Sequence, residues 1–218
     1  GENEPLTFFV PFDVINVPSV LWRVLSEDET IGLIQILRFT NRTPSELDEA
    51  IAELTEAGIS SLIVDIRNNG GGLLQEAIDV AGIFLDGGVV LYEQTRDGER
   101  TYTAEEGGSA IDYPLVLLVN RGTASAAELV AGAIQDRERG ILIGQTTYGK
   151  GTIQQIFALS DTSSIHVTSA EWFTPNRNVI DGVGLEPNIA MVPAQDGRDI
   201  EMVEAIDYLQ NLEAETEE

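Results

Sequence analysis

Ser61-Leu-Ile-Val-Asp-Ile-Arg-Asn-Asn-Gly-Gly-Gly72 decides the fold. Its first six residues form a short apolar run that breaks directly into turn residues, which predicts a buried strand closed by a glycine turn. A helical pattern over Leu73–Leu85 follows. Upstream, Ile31–Leu37 is a second apolar strand. Thr43-Pro44-Ser45-Glu46 after it predicts a helix start, with a capping threonine, proline at the first helical position and glutamate at the third. Leu47, Ala50, Ile51 and Leu54 recur at helical spacing, and Gly58 supplies the stop. Downstream come Val89–Thr95, an Asp97-Gly98 turn into Thr101–Thr103, the apolar strand Leu115–Val119, a helix from about Ala124 to Arg137, and Ile141–Gly144. Two alternating runs, Thr152–Leu159 and Ser164–Ala170, flank the Ser160-Asp161-Thr162 turn and predict a hairpin. Thr174–Pro187 is a loop, and Asp199–Leu212 a helix before an acidic tail. The fold class is therefore α/β, expected as one domain with a mixed β-sheet flanked by helices. Leu6–Val17 alternates but is interrupted by prolines, and reads as edge strands entering from a module upstream.

Composition narrows the chemistry. The 218 residues include 12 Lys and Arg against 37 Asp and Glu, a formal net charge of −25, so nucleic acid and anionic membrane surfaces are excluded as partners. There is no Cys and one His, His166, which removes thiol catalysis and the usual zinc centres and leaves hydroxyl, carboxylate or amine. His166 sits in an alternating strand and is expected on its solvated face. Asp65, Asp79 and Glu128 are scattered carboxylates without metal-ligand or paired-acid spacing, so no metal and no cofactor is expected. No apolar run approaches the roughly 20 residues of a membrane span. With no initiator Met and no signal-like segment, an internal or mature stretch of a longer protein is expected.

Eleven of the 12 basic residues are Arg, and the single lysine, Lys150, lies between Gly149 and Gly151. An amine can act as a base once it is desolvated; a guanidinium cannot. Chance survival of one lysine is the alternative. Gly144-Gln-Thr-Thr-Tyr-Gly-Lys150 also has the spacing of a phosphate loop, but Gly151 stands where a Ser or Thr should bind magnesium, and a strand follows where a helix is needed. A nucleophile is available in Ser125, within Arg121-Gly-Thr-Ala-Ser-Ala-Ala-Glu128, where a strand turns into a helix. Small neighbours leave room for a substrate backbone. The commoner role of Ser125, or of Thr123, is that of a helix cap. Asn68-Asn69-Gly70-Gly71-Gly72 would lie beside this turn if the two strands are neighbours, and its N–H groups could hold an oxyanion. Phe157 or Trp172 is expected to wall the lysine.

Taken together, Asp65-Ile-Arg-Asn-Asn-Gly-Gly-Gly-Leu-Leu74, Asn120-Arg-Gly-Thr-Ala-Ser-Ala-Ala-Glu128, Gly149-Lys-Gly-Thr-Ile-Gln154 and Thr174-Pro175 with Gly182-Val-Gly-Leu-Glu-Pro-Asn-Ile189 resemble the carboxy-terminal processing peptidases, also called tail-specific proteases. The resemblance runs from about Ile31 to Ile189. It implies a ClpP/crotonase-like α/β core and a serine endopeptidase with Ser125 as nucleophile and Lys150 as base, 25 positions apart. It further implies Gln154 as the partner of the amine, the amides of Gly71 and Ala126 as oxyanion hole, and protein or peptide substrates cut near their C-terminus. It points to a place outside the cytoplasmic membrane, in periplasm, cell envelope or thylakoid lumen, and leaves the number of subunits open. Two departures stand out: Gly70 replaces the usual proline of the glycine loop, and Ala127 stands where a second serine is common. The family typically carries a PDZ module. Residues 1–20 are expected to be its last strands and a connector, and residues 21–218 the peptidase core. A non-catalytic crotonase-like binding or scaffold module is the competing expectation.

Overall fold

In the central strand every side chain from Ser61 to Asp65 is buried, because successive residues point to opposite faces and both faces are covered. Leu62 and Val64 pack with three helices on one side, while Ile63 packs with Ala205 and Leu209 of the C-terminal helix on the other. Each such aliphatic side chain contributes about 1.5–3 kcal/mol by burial. The computed structural model describes residues 8–9 and 17–216. The expected strands at Leu6–Val17 fall largely outside these residues.

The elements are β1 Val20–Val24, β2 Ile31–Ile36, α1 Thr43–Glu56, β3 Ser61–Asp65, α2 Leu74–Phe84, β4 Gly88–Thr95, β5 Gly98–Ala104, β6 Leu115–Val119, α3 Ala126–Asp136, β7 Ile141–Gly144, β8 Thr152–Ala158, β9 Ser164–Phe173, β10 Ile189–Ala190 and α4 Ile200–Thr216. Strands β1-β2-β3-β6-β7-β10 form one sheet, antiparallel at β1/β2 and parallel elsewhere. Parallel neighbours need long crossovers; α1, α2 and α3 supply those for β2/β3, β3/β6 and β6/β7, and the segment carrying β8 and β9 links β7 to β10. Those helices cover one face and α4 the other. Val20 is fully buried and Ser19 nearly so, so the packed core already includes the last residues of the expected connector.

Two sequence expectations change. The sheet is not single: β5-β4-β9-β8 form a second, antiparallel one. These strands come as two hairpins, which pair locally and cannot enter a parallel ladder without a crossover helix. Nor does Thr43-Pro-Ser-Glu46 cap α1. The N-cap is Arg42, and Thr43 is buried inside the first turn, donating to the Arg38 carbonyl. The Glu46 carboxylate is spent on the N–H groups of Ser19 and Val20, at 2.6 and 3.1 Å, tying the start of β1 to α1.

Candidate active site

The loops after β3 and β6 meet because those strands are hydrogen-bonded neighbours. Asn120 Oδ1 accepts the Asn68 N–H at 2.9 Å, the Thr123 hydroxyl donates to the Ile66 carbonyl at 2.9 Å, and the Ala124 N–H donates to the Asn69 carbonyl at 2.9 Å. Thr123 is thus committed to joining the loops, not to capping α3. Ser125 occupies the N-cap position with φ 56° and ψ −119°. An ordinary capping serine has β-region dihedrals; this conformation suits glycine, and holding a serine in it costs about 1–3 kcal/mol. Residues so held concentrate at functional sites.

What fixes Lys150 beside this turn is a residue that the sequence left among the scattered acids. Glu128, in the first turn of α3, is completely buried. One carboxylate oxygen accepts the Ser125 N–H and the Lys150 N–H, each at 2.8 Å. The other accepts the Gly149 N–H at 2.6 Å and the Thr147 hydroxyl at 2.5 Å. A buried carboxylate is tolerable when its acceptor sites are filled in this way. The two backbone nitrogens share an oxygen, so the serine and the lysine begin within two hydrogen-bond lengths of each other. Ser125-x-x-Glu128 has capping-box spacing, the one sequence signal that singles this acid out.

The glycines around Lys150 are required by close packing. A Cβ on Gly149 would lie 2.8 Å from the Gly184 nitrogen, and one on Gly151 only 2.5 Å from the Asp181 nitrogen. Buried Trp172 donates from Nε1 to the Lys150 carbonyl at 3.2 Å and from its N–H to the Gly151 carbonyl at 2.9 Å, which fastens the backbone of the lysine segment. Phe157 does not; it is half exposed on β8. The Lys150 side chain is half-buried and makes no ion pair among the described residues. Residues after Lys150 form a strand, as the phosphate-loop alternative cannot accommodate.

Gly71 packs on the serine turn: a Cβ there would fall 2.9 Å from the Ser125 Cβ and 2.9 Å from the Ala126 nitrogen. Its own N–H, however, donates to Asn69 Oδ1 at 2.8 Å in a buried Asx turn, and so is not free for a ligand. The Ala126 N–H opens α3 and has no acceptor among the described residues. Gln154 is exposed on β8 beside a bulge and forms no hydrogen bond to Lys150. His166 is exposed on β9, as expected. Among the described residues no His, Asp and Glu group of three or more is placed to hold a metal ion, and no helix is long and apolar enough to cross a membrane.

Just before the glycine loop, Arg67 bridges Asp65 at 2.7 Å, Asp199 at 2.8 Å and Glu201 at 3.3 Å, fastening the start of α4 to the end of β3. Burial alone would lower the Arg67 pKa, but hydrogen bonds to Asp199 and Asp65 outweigh it and raise it. The same hydrogen bonds hold Asp199 below the usual carboxylate range against its own burial.

The profile of Peptidase family S41 matches residues 30–191, which include the 68–72 loop, Ser125, Glu128 and Lys150. The chain belongs to peptidase family S41. Among S41 relatives, the carboxyl-terminal-processing protease of Synechocystis is 42% identical over 160 residues, covering 73% of this chain and 38% of the relative. The chloroplastic C-terminal processing peptidase of Tetradesmus obliquus is 39% identical over 178 residues, 80% of this chain and 38% of the relative. A solved photosystem II D1 C-terminal processing protease superposes with a TM-score of 0.70 at 35% identity, covering 84% of this chain and 52% of that one. The chain thus spans about two-fifths to half the length of these S41 proteins.

Proposed function

We propose that this chain carries the hydrolytic core of a serine endopeptidase that cuts polypeptides near their carboxyl terminus, with Ser125 as nucleophile and Lys150 as base. The observation that carries this is the Glu128 carboxylate, which holds the strained Ser125 and the chain's sole lysine to one oxygen. Lys150, as the neutral amine, takes the Ser125 hydroxyl proton while the oxygen attacks the substrate carbonyl. The electron pair moves to the carbonyl oxygen, which lies at the positive end of α3 within reach of the Ala126 N–H. The lysine then passes its proton to the departing amine as the C–N bond breaks. Water, deprotonated by the same amine, then attacks the acyl carbon, the Ser125 Oγ–C bond breaks, and Oγ takes the proton back from the lysine as the acid product leaves. Gln154, four positions after the lysine, is proposed to steady the amine once substrate covers β8.

The relatives' names supply the substrate class, carboxyl-terminal segments of proteins; an extracytoplasmic site of action is proposed on the family resemblance. Residues 21–218 are proposed as the peptidase unit, with substrate recruitment assigned to a PDZ module elsewhere in the full-length protein. The test is cleavage of an unstructured peptide. Ser125→Ala, Lys150→Ala and Lys150→Arg should each lower the rate at least about 1000-fold. Undiminished cleavage by any of the three overturns the dyad.

A further inference from the structure

The β8–β9 hairpin is an arm that leaves the body of the protein. β4 pairs with β9 only as far as Ala170, and beyond that point β8 and β9 pair only with each other, from Gln154/Thr168 to Ala158/Ser164. Ala170 and Trp172 are buried, whereas every residue from Gln154 to Thr168 is exposed. The arm is also almost without charge: apart from His166, Thr152–Thr168 holds one ionisable side chain, Asp161 in the tip turn, in a chain of net charge −25. Exposed edge strands normally carry a charge or a proline that keeps other strands away. Among the described strands the other edges obey this: β5 has Glu99 and Arg100, β1 has Arg23, and β10 is only two residues long. β8 has neither device, and it presents Ile156 and Phe157 at 65% and 51% exposure. The alternation of hydrogen bonds fixes which of its backbone groups stand open. The Leu159 N–H donates to the Ser163 carbonyl at 2.8 Å, so 159/163 is a hydrogen-bonded pair, and by alternation so are Phe157/Ile165 and Gln155/Val167. The N–H and C=O of Gln154, Ile156 and Ala158 therefore point away from β9, along the free edge.

We propose that two copies of this chain pair antiparallel through β8, across a two-fold axis at Ile156, joining their arms into one four-stranded sheet. In this register Ile156 lies opposite the partner's Ile156, and Gln154 opposite the partner's Ala158. All three open residues then find partners, and any other register leaves some of them bare. Charge decides for a second copy as the occupant. Two bodies of the same strong negative charge repel on direct contact, but antiparallel pairing sets them at opposite ends of the joined strands. From Ile153 to the partner's Ile153 is about 20 Å at about 3.3 Å per residue, roughly twice the Debye length of 8–10 Å at physiological salt. The neutral arm is thus the surface on which like-charged copies can meet. Gln154 gives the pair only its backbone, so its side chain keeps its place on the sheet face. The pairing does not depend on which residue is the nucleophile.

The test is sedimentation velocity of the whole chain over a wide range of concentration, which should show a monomer passing into a species of twice the mass. Raising salt from about 0.01 to 0.15 M shortens the Debye length from about 30 to 8 Å and should strengthen the association. Ile156→Pro removes an N–H that faces the free edge, so it costs the hairpin none of its own bonds while taking one from each copy at the axis. Ile156→Lys sets like charges directly opposite each other. Each should weaken the dimer at least about tenfold. Hydrogen exchange on the unsubstituted protein gives a readout that no folding defect can confuse. The amides of Gln154, Ile156 and Ala158 should exchange slowly in concentrated samples and fast in dilute ones, while that of Phe157 is protected in both. A monomer at every concentration, or a dimer that neither substitution weakens, overturns the proposal. Protection of the three amides that appears only on adding an extended peptide, with the mass of one chain retained, overturns it too, since the edge then belongs to a polypeptide ligand.

Discussion

Replacing Glu128 by Gln keeps the volume of the side chain but changes what it can accept. Each carboxylate oxygen now receives two donors: Ser125 and Lys150 N–H on one, Gly149 N–H and Thr147 hydroxyl on the other. An amide has only one oxygen, so one of these pairs must face an NH2 group. The less damaging choice keeps the oxygen on Ser125 and Lys150 and turns the NH2 toward Thr147, whose hydroxyl can rotate to accept. The Gly149 N–H then confronts a donor in a completely buried site, at a cost of about 1–3 kcal/mol. For a domain of this size that is a fall in Tm of about 2–12 °C. Because the lost bond lies one residue from Lys150, peptide cleavage should fall too, through kcat more than KM. Melting followed by circular dichroism, with cleavage kinetics on the same samples, measures both. An unchanged Tm with unchanged kcat would refute the role given to Glu128.

Three of the remaining tests concern strain, charge and exposure. Ser125→Gly should be inactive yet melt higher than Ser125→Ala, by about 1 kcal/mol or more, because glycine adopts φ 56°, ψ −119° without penalty and alanine does not; equal melting would remove the strain. Asp199 has its pKa held below its ordinary 3.8 by Arg67, so its contribution to docking α4 is present above that value and is lost as pH falls through the lower folded one. The Tm gap between wild type and Asp199→Asn should accordingly be open near neutral pH and close in acid, and a gap independent of pH contradicts the pairing. Phe157→Ser, at a half-exposed position of the β8–β9 hairpin, should alter stability by no more than about 0.5 kcal/mol, and a larger loss would mean that the side chain is packed.

Strands β3, β6 and β7 were legible because a parallel strand covered on both faces is mainly apolar, and Leu62–Val64, Leu115–Val119 and Ile141–Gly144 are continuous apolar runs. β1 was not, since Val20–Val24 alternates buried and exposed residues directly after Pro18 and blends with the segment before it. The hairpins β4–β5 and β8–β9 were visible as hairpins, but that Tyr92 pairs with Phe173 and joins them into a separate sheet is a long-range fact with no local signature. The same distinction runs through the site. Ser125, Lys150 and the glycine loop announce themselves by composition and motif. Glu128 does not, because its meaning lies in amides around residues 147–150 that only the fold brings to it, and in sequence it is one acid among 37. Glu46 misled for the matching reason: its capping partners were outcompeted by Ser19 and Val20. The hydrogen bond from Gly71 to Asn69 is local, yet it depends on an Asn69 side chain held in place by its bond to the distant Ile36 carbonyl.

The most direct test of the whole account is to treat the protein with a serine-reactive phosphonate and locate the adduct by mass spectrometry. A single modification on Ser125, formed in the wild type and absent in Lys150→Ala, is the expected result. An unmodified Ser125, or one labelled equally fast without the lysine, would contradict the pairing of that hydroxyl with that amine.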